Sequence, residues 1–351
     1  MYKLDVRFGY NISWSPFKEI ISRSVDAEKF GFDSLWYHDH LMIPGYAPVF
    51  ESFSLLTALA TKTNHCKIGQ TVVDLYRRHP ATIAQSALTL NHISNGRAFL
   101  GIGTGQAMNL APLGIDIKKP LTTLRESIQF IKGLFNATKD NPFNFLGEIF
   151  SAKNIFLNMD EKTNTPPSIY VGASAPRTRE ITGELADGWI PYVHTLSNYE
   201  KLLKDIINGT KKSGRKISDL DLVANVPILI TENENDERRK KIGRSLSIRL
   251  LLEGNTLKDL GWNEEIPEEF SQSKMIVDES MSKKLEQMAD KIPSEITEQI
   301  AAIGQPSEII EVLENYKKMG AKHFVIKFLG QPTTEDLKKF NSEIIQVMKN
   351  A

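Results

Sequence analysis

One cysteine, Cys66, stands in 351 residues, so no internal disulfide can form and packing must carry the fold. Excess charge is also missing, since 43 basic side chains cancel 43 acidic ones. That balance leaves no electrostatic footprint for nucleic acid and no polybasic membrane patch. No uncharged run approaches the ~20 residues of a membrane span. The opening segment carries Lys3, Asp5 and Arg7 where a secretory leader needs an apolar core. A cytoplasmic protein with no nucleic-acid or membrane partner is expected. The chain has no Walker A loop, no G-x-S-x-G elbow and no Ser/His/Asp order of known type. Low-complexity linkers and internal repeats are absent too, so a single domain over 1–351 is expected.

What is present is alternation. Apolar, β-favouring runs at 4–10, 34–37, 67–73, 98–102, 168–173, 188–193, 222–230 and 323–328 read as strands. Amphipathic patterns at 17–30, 53–61, 80–93, 121–135, 177–185, 199–212, 236–253 and 335–348 read as the helices between them. Eight such units predict a (β/α)8 TIM barrel rather than an open sheet. The surplus length forms two insertions. One, at 136–167 after the fourth strand, has a hairpin pattern around Phe143 to Phe150; the other, at 254–304 between units seven and eight, is polar and largely helical.

In a barrel the ligand lies at the C-terminal ends of the strands. The fourth strand ends there in Gly101, Gly103 and Gly105, where glycine lets a ligand come close. A dinucleotide fingerprint fails on spacing, because Gln106 stands where its third glycine belongs. The second strand delivers His38, Asp39 and His40. Three consecutive side chains on extended backbone alternate in direction, so they cannot converge on a metal, and no metal site is expected. An Asp and a His at a barrel mouth can instead hydrogen-bond a heteroaromatic ligand and handle a proton. Gly172 to Ala175 ahead of a helix with Arg177 and Arg179 suits an anion, or is an ordinary βα turn. The cluster Arg77, Arg78 and His79 reads as a solvated surface run. Trp14, Trp36, Trp189 and Trp262 read as core or interface residues.

Taken in order along the chain, several stretches resemble the bacterial-luciferase-like superfamily, in its coenzyme F420-dependent branch. They are Ala27 to Ser34 leading into Trp36 to His40, Lys67 to Val72, Arg78 to Gln85, Ser94 to Gly105, Ile169 to Ala173 with Ala186 to Gly188, and Gly304 to Glu308 with Gly320. The resemblance covers almost the whole length. It implies a barrel that binds coenzyme F420, or alternatively FMN, at its mouth, acts on a small-molecule substrate and works as a homodimer. By the same match Asp39 and His40 are catalytic, with Asp39 also on the cofactor. Thr71 and Val72, joined by a non-prolyl cis peptide, shape the ring face. Gly103, Thr104, Gly105 and Gln106 flank the ring, and Gly172, Ala173 and Ser174 hold the coenzyme phosphate.

Two kinds of relative compete over the substrate. F420-dependent glucose-6-phosphate dehydrogenases resemble the chain at Gly103 to Asn109 and Met288 to Pro293, yet they carry acids where Gln106 and Ser15 or a neighbour stand. Lys274 is a candidate for one of their phosphate-gripping bases. Methylenetetrahydromethanopterin reductases resemble it at Leu113 to Arg125, with Asn11 near the place of their glutamate. A neutral amide cannot donate a proton as a carboxylic acid does. The pterin reductase activity is therefore expected first. An F420-dependent sugar-phosphate or alcohol dehydrogenase and an FMN-dependent monooxygenase are the alternatives.

Overall fold

The computed structural model describes residues 6–43, 47–159, 165–192, 194–233, 236–252, 254–271 and 274–351. Its strands are β1 (Arg7–Asn11), β2 (Ser34–Tyr37), β3 (Lys67–Gln70), β4 (Val73–Asp74), β5 (Ala98–Gly103), β6 (Phe143–Leu146), β7 (Ser151–Ile155), β8 (Ser168–Gly172), β9 (Gly188–Trp189), β10 (Asp221–Ile230), β11 (Ala302–Gly304) and β12 (His323–Phe328). The parallel order β1-β2-β3-β5-β8-β9-β10-β12 returns to β1, where Arg7 pairs with His323 and Tyr10 with Ile326. Eight strands thus close a TIM barrel.

Helices α1 (Phe17–Lys29), α2 (Ser52–Ala60), α3 (Pro80–Ile93), α4 (Ala107–Leu110), α5 (Pro120–Asn136), α6 (Pro176–Leu185), α7 (Leu196–Lys212) and α8 (Glu237–Leu252) follow in order. Local chemistry sets their ends. His79 accepts the Ala81 N–H in front of Pro80, and Thr195 accepts the Asn198 N–H at the start of α7. The remaining helices are α9 (Gly254–Asp259), α10 (Glu279–Ala289), α11 (Ser294–Glu298), α12 (Pro306–Lys318), α13 (Thr334–Phe340) and α14 (Gln346–Asn350).

Strand alternation divides the core in two. Outward residues such as Phe8, Tyr10, Leu35, Leu100 and Ile326 bury against the helices. Inward residues Trp36, Phe99, Tyr170, Ile190, Val223 and Val325 plug the bore, Trp36 and Phe99 with ring centroids 4.1 Å apart. Beneath the plug a polar chain ties the strand beginnings. Asp221 receives Arg7 at 2.7 Å, the Tyr170 hydroxyl at 2.7 Å and His323 Nδ1 at 3.0 Å. His323 Nε2 meets Ser34 Oγ at 2.7 Å, and that oxygen also accepts Trp36 Nε1. An Asp, a His and a Ser are in line here, but Ser34 is 1% exposed and its hydroxyl is spent. The line is a strut.

Several boundaries differ from the sequence reading. The third strand is not continuous over 67–73: the Thr71–Val72 peptide is cis and separates β3 from β4. The first starts at Arg7, its predicted start lying outside the described residues, and the sixth shortens to two residues. The 136–167 insertion holds the antiparallel pair β6 and β7. The 254–304 insertion carries α9, α10 and α11 and ends in β11, which pairs with β10. It builds a second apolar core with α8, in which Leu246, Leu257, Trp262 and Phe270 meet Met108, Leu229 and Leu329 near the strand ends. Helix α12 was missed. It is opened by Pro306 after Gln305, whose N–H donates to Glu308 at 2.7 Å. The last helix is interrupted by a π turn at Asn341–Ile345.

Candidate active site at the barrel mouth

Val72, just past the cis bond, sits over the glycines of two strands. A Cβ on Gly103 would come within 2.7 Å of a Val72 methyl, and one on Gly172 within 3.2 Å. Only glycine at these places lets the valine lie against the bore, so Thr71 and Val72 present a half-buried face to the mouth. Thr104, Gly105 and Gln106 border that face and are partly exposed. Gly105 has φ +82°, a left-handed conformation that other residues adopt only with strain.

His40 lies at the end of β2, and Asn109 of α4 fixes its orientation. Asn109 Oδ1 accepts the Leu41 N–H at 2.7 Å and the Met42 N–H at 3.3 Å. Its amide nitrogen must therefore be the donor toward His40 Nδ1, 3.0 Å away. The ring proton is then on Nε2. Burial first, then the charges of Arg77, Lys327 and Arg249, hold the His40 pKa down to about 4. The imidazole is neutral at pH 7 and does not titrate near neutrality. His38, alongside, is driven well below its ordinary value by burial, then by Lys327, His40 and Arg249.

Asp39 faces elsewhere. Its carboxylate accepts Ser52 Oγ at 2.7 Å, Arg77 Nη2 at 2.7 Å and Arg78 Nη1 at 2.6 Å. Arg77 also reaches Asp74 and the Asp39 carbonyl. This corrects the reading of the basic cluster. Arg77 and Arg78 are not a solvated run: their side chains are 13% and 19% exposed, locked on an acid that is 2% exposed. His40 is held by Asn109, with the Asp39 oxygens committed to arginines.

Also at the mouth stand Lys327 and Arg249, which sequence reading did not single out, together with Asn11 and Trp14. Lys327 is one step beyond the Tyr10–Ile326 pair, so it neighbours Asn11 on the next strand. Its ammonium lies 5.1 Å from the Trp14 ring centroid. Trp14, half-buried, also packs on His38 at 5.1 Å; it belongs to the mouth rather than the core. Arg249 of α8 stacks on Tyr192 at 5.1 Å and donates from Nε to its hydroxyl at 3.3 Å. Lys327 had a signal: it shares the inward face with His323 and Val325, a lone cation ending an apolar strand. Arg249 had none within its charged helix.

The Gly172 to Ser174 segment follows β8. The Ala173 carbonyl accepts Trp189 Nε1 at 3.4 Å, and Ser174 is exposed with its carbonyl taken by Arg179. Arg179 is buried and paired with Asp205 at 2.7 Å, so it braces this turn and is not a free anion donor. Lys274 is exposed and paired with Glu268. Among the described residues, Glu28, His65 and Cys66 are the one group of metal-type donors within 4.8 Å of one another. Glu28 already accepts the N–H groups of Asn64, His65 and Cys66 there.

A closed ring with the Val72 face, His40 and Lys327 at the carboxyl ends of its strands defines a TIM barrel built to bind at that face. Within this class the chain belongs to the luciferase-like monooxygenase family, which it matches over residues 4–323. It is 27% identical to an F420-dependent glucose-6-phosphate dehydrogenase of Nakamurella multipartita over 97% of this chain and 96% of that one. It is 33% identical to a 5,10-methylenetetrahydromethanopterin reductase of Methanolobus tindarius over 68% of this chain and 69% of that one. A solved F420-dependent secondary alcohol dehydrogenase, in complex with an F420-acetone adduct, superposes with a TM-score of 0.82 at 18% identity, covering 98% of this chain and 99% of that one.

Proposed function

We propose that the protein is an F420-dependent oxidoreductase moving hydride between the deazaflavin and a small organic substrate. The observation that carries this reading is the Thr71–Val72 face backed by Gly103 and Gly172, an apolar platform that a flat ring system fits. The F420-dependent relatives support the same coenzyme. When bound, the coenzyme supplies a two-electron carrier. Val72 supports the ring; Thr71, Gly103, Thr104, Gly105 and Gln106 border it; Gly172, Ala173 and Ser174 hold its phosphate. His40, neutral, offers its Nε2 proton to a polar atom beside the reacting carbon. Asp39 acts through Arg77 and Arg78, fixing the loop that carries His40.

A methylene-tetrahydropterin is placed first among substrates. Hydride addition to its methylene carbon asks least of a carboxylic acid, and this chain has Gln106 and Asn11 at the mouth. The reading carries with it one catalytic unit over 1–351, working as a cytoplasmic homodimer. Titration with oxidised F420 is expected to quench the coenzyme's fluorescence, followed by turnover with methylene-tetrahydromethanopterin ahead of sugar phosphates and secondary alcohols. Absence of quenching defeats the proposal. The family's own description names a monooxygenase, which favours a second reading, a monooxygenase that would use FMN in place of the deazaflavin. Oxygen consumption with reduced FMN, and none with F420, would select it.

A further inference from the structure

Few groups at the mouth can give up a proton near neutral pH. His40 is neutral, and a neutral imidazole donates a hydrogen bond through its N–H without releasing the proton. His38 is neutral as well. The Asp39 carboxylate is committed to Ser52, Arg77 and Arg78. Gln106 and Asn11 are amides, and the guanidinium groups of Arg77 and Arg249 stay protonated. Lys327 is left. Strand alternation carries it inward beside Val325 at the end of β12, half-buried, and no acid offsets its charge among the described residues.

Its surroundings favour release of the proton. The ammonium lies 5.1 Å from the Trp14 ring centroid, and that ring packs at 5.1 Å on His38 and at 6.2 Å on His40. One aromatic ring thus separates Lys327 from the histidine held by Asn109. The titratable and charged groups that it feels are His38, His40 and Arg249, none of them acidic. Burial first, then the Arg249 charge, hold its pKa well below the ordinary lysine value. A proton donor that must be recharged by water in each turnover works best when shifted this way. Oδ1 of Asn11, which follows Tyr10 on the neighbouring strand, is buried with no hydrogen-bond partner. It is an acceptor for a hydrogen newly placed on the substrate.

We propose that Lys327 is a catalytic acid, whose ammonium protonates the substrate's heteroatom as hydride reaches the carbon beside it. This rests on the oxidoreductase reading above. With a methylene-tetrahydropterin, reduced F420 gives the hydride and a C–H bond forms at the methylene carbon. One C–N bond of the bridge breaks, and its electron pair takes the proton from Nζ. The carbon is reduced by two electrons and the coenzyme oxidised by two. The lysine, left as an amine, regains its proton from water. His40 orients the heteroatom by its hydrogen bond and keeps its own proton.

The test reads proton and charge apart. Lysines of the full chain are reductively methylated with 13C and titrated by NMR, and the Lys327 signal is the one absent from Lys327→Met. It is expected to titrate below the other lysines; an ordinary midpoint overturns the proposal. Turnover is then followed against pH with F420 and the fastest of the substrates named above. Wild-type kcat is expected to fall on the alkaline side at that midpoint, since the protonated lysine is the active form. Lys327→Met and Lys327→Arg are each expected to lower kcat about a hundredfold and to lose this limb, with coenzyme quenching kept within a few-fold. Arginine keeps the charge without a proton to give, so a normal rate in Lys327→Arg overturns proton donation, as does full activity in Lys327→Met. Lys327→Cys alkylated with 2-bromoethylamine restores an amine, and Cys66 is buried away from the reagent. It is expected to regain about tenfold or more of the lost rate; no gain at full alkylation overturns the proposal. Absent quenching with the low lysine midpoint intact defeats the coenzyme reading alone, because the NMR arm is read without F420. Circular dichroism and thermal melting separate loss of rate from loss of fold.

Discussion

Asn109 decides which nitrogen of His40 carries the proton, and it does so because two backbone N–H groups have already claimed its oxygen. A neutral imidazole with a fixed Nε2 proton gives hydrogen bonds rather than exchanging protons with solvent. Replacement His40→Ala is therefore expected to lower kcat roughly a hundredfold with F420 affinity kept within a few-fold. The wild-type rate is expected to show no histidine step between pH 6 and 8; a step there would place His40 at its ordinary pKa. Stability reports the same depression. With the folded value about 4 for His40 and for buried His194, the unfolded chain binds more protons between pH 6.5 and 4. Stability is thus full above 6.5 and falls as pH drops to 4, by about 3 kcal/mol per histidine at most. Urea midpoints at pH 4.5 and 7.5 measure it, and His40→Asn is expected to shrink the difference. Asp39 is a second kind of residue, whose removal strands Arg77 and Arg78. Asp39→Ala is expected to cost about 3 kcal/mol in chemical denaturation; a cost below about 1 kcal/mol would mean the arginines find water.

At the level of elements, what could be read from sequence was what repeats. Strands β2 and β12 and helix α3 fall where the apolar periods place them, since alternation and 3.6-residue spacing are local properties. What repeats less was lost. Helix α12 follows a polar insertion that masked its start and β11 is three residues, whereas β9 is found at Gly188 but is two residues long where six are expected. The site divides the same way. Val72, Gly103 and His40 stand at strand ends that topology alone makes a mouth. Asn109, Trp14 and Arg249 meet them only after the chain has folded, because they come from a one-turn helix, a loop and a distant helix. The cis break between β3 and β4 is tied to glycine on β5, and substitution there is expected to split by what the new methyl meets. Gly101→Ala drives a Cβ to 2.0 Å from the Gln70 carbonyl oxygen, rigid backbone, and is expected to destabilise by about 3 kcal/mol. Gly103→Ala meets only the Val72 methyl at 2.7 Å. It is expected to melt within a few degrees of wild type and to bind F420 at least about tenfold more weakly. Equal loss of stability in both would make the glycines merely structural.

The molecule as a whole is a cylinder fastened at its lower end and loaded at its upper one. Burial opposes ionisation of Asp221, but the His323 hydrogen bond, the Arg7 charge and the Tyr170 hydroxyl outweigh it and hold the carboxyl well below the usual range. That contribution is complete above the unfolded value near 4 and is lost as pH falls through the folded one. Asp221→Asn is accordingly expected to cost about 3 kcal/mol at pH 7 and to flatten the acid limb of the unfolding curve. The ring is not equally sewn all round. Between β8 and β10 its stave is β9, where only Gly188 and Trp189 are paired to either side, with Asp187 and Ile190 adding a backbone bond each to β8. Amide hydrogen exchange is expected to find this seam first, with Gly188 to Ile190 trading deuterium faster than Ala98 to Gly103. Tyr192, which carries Arg249, comes two residues after the seam. Breathing of the barrel would therefore be felt on the cationic bank of the mouth, while the valine bank, sewn by five pairs between β5 and β8, keeps still.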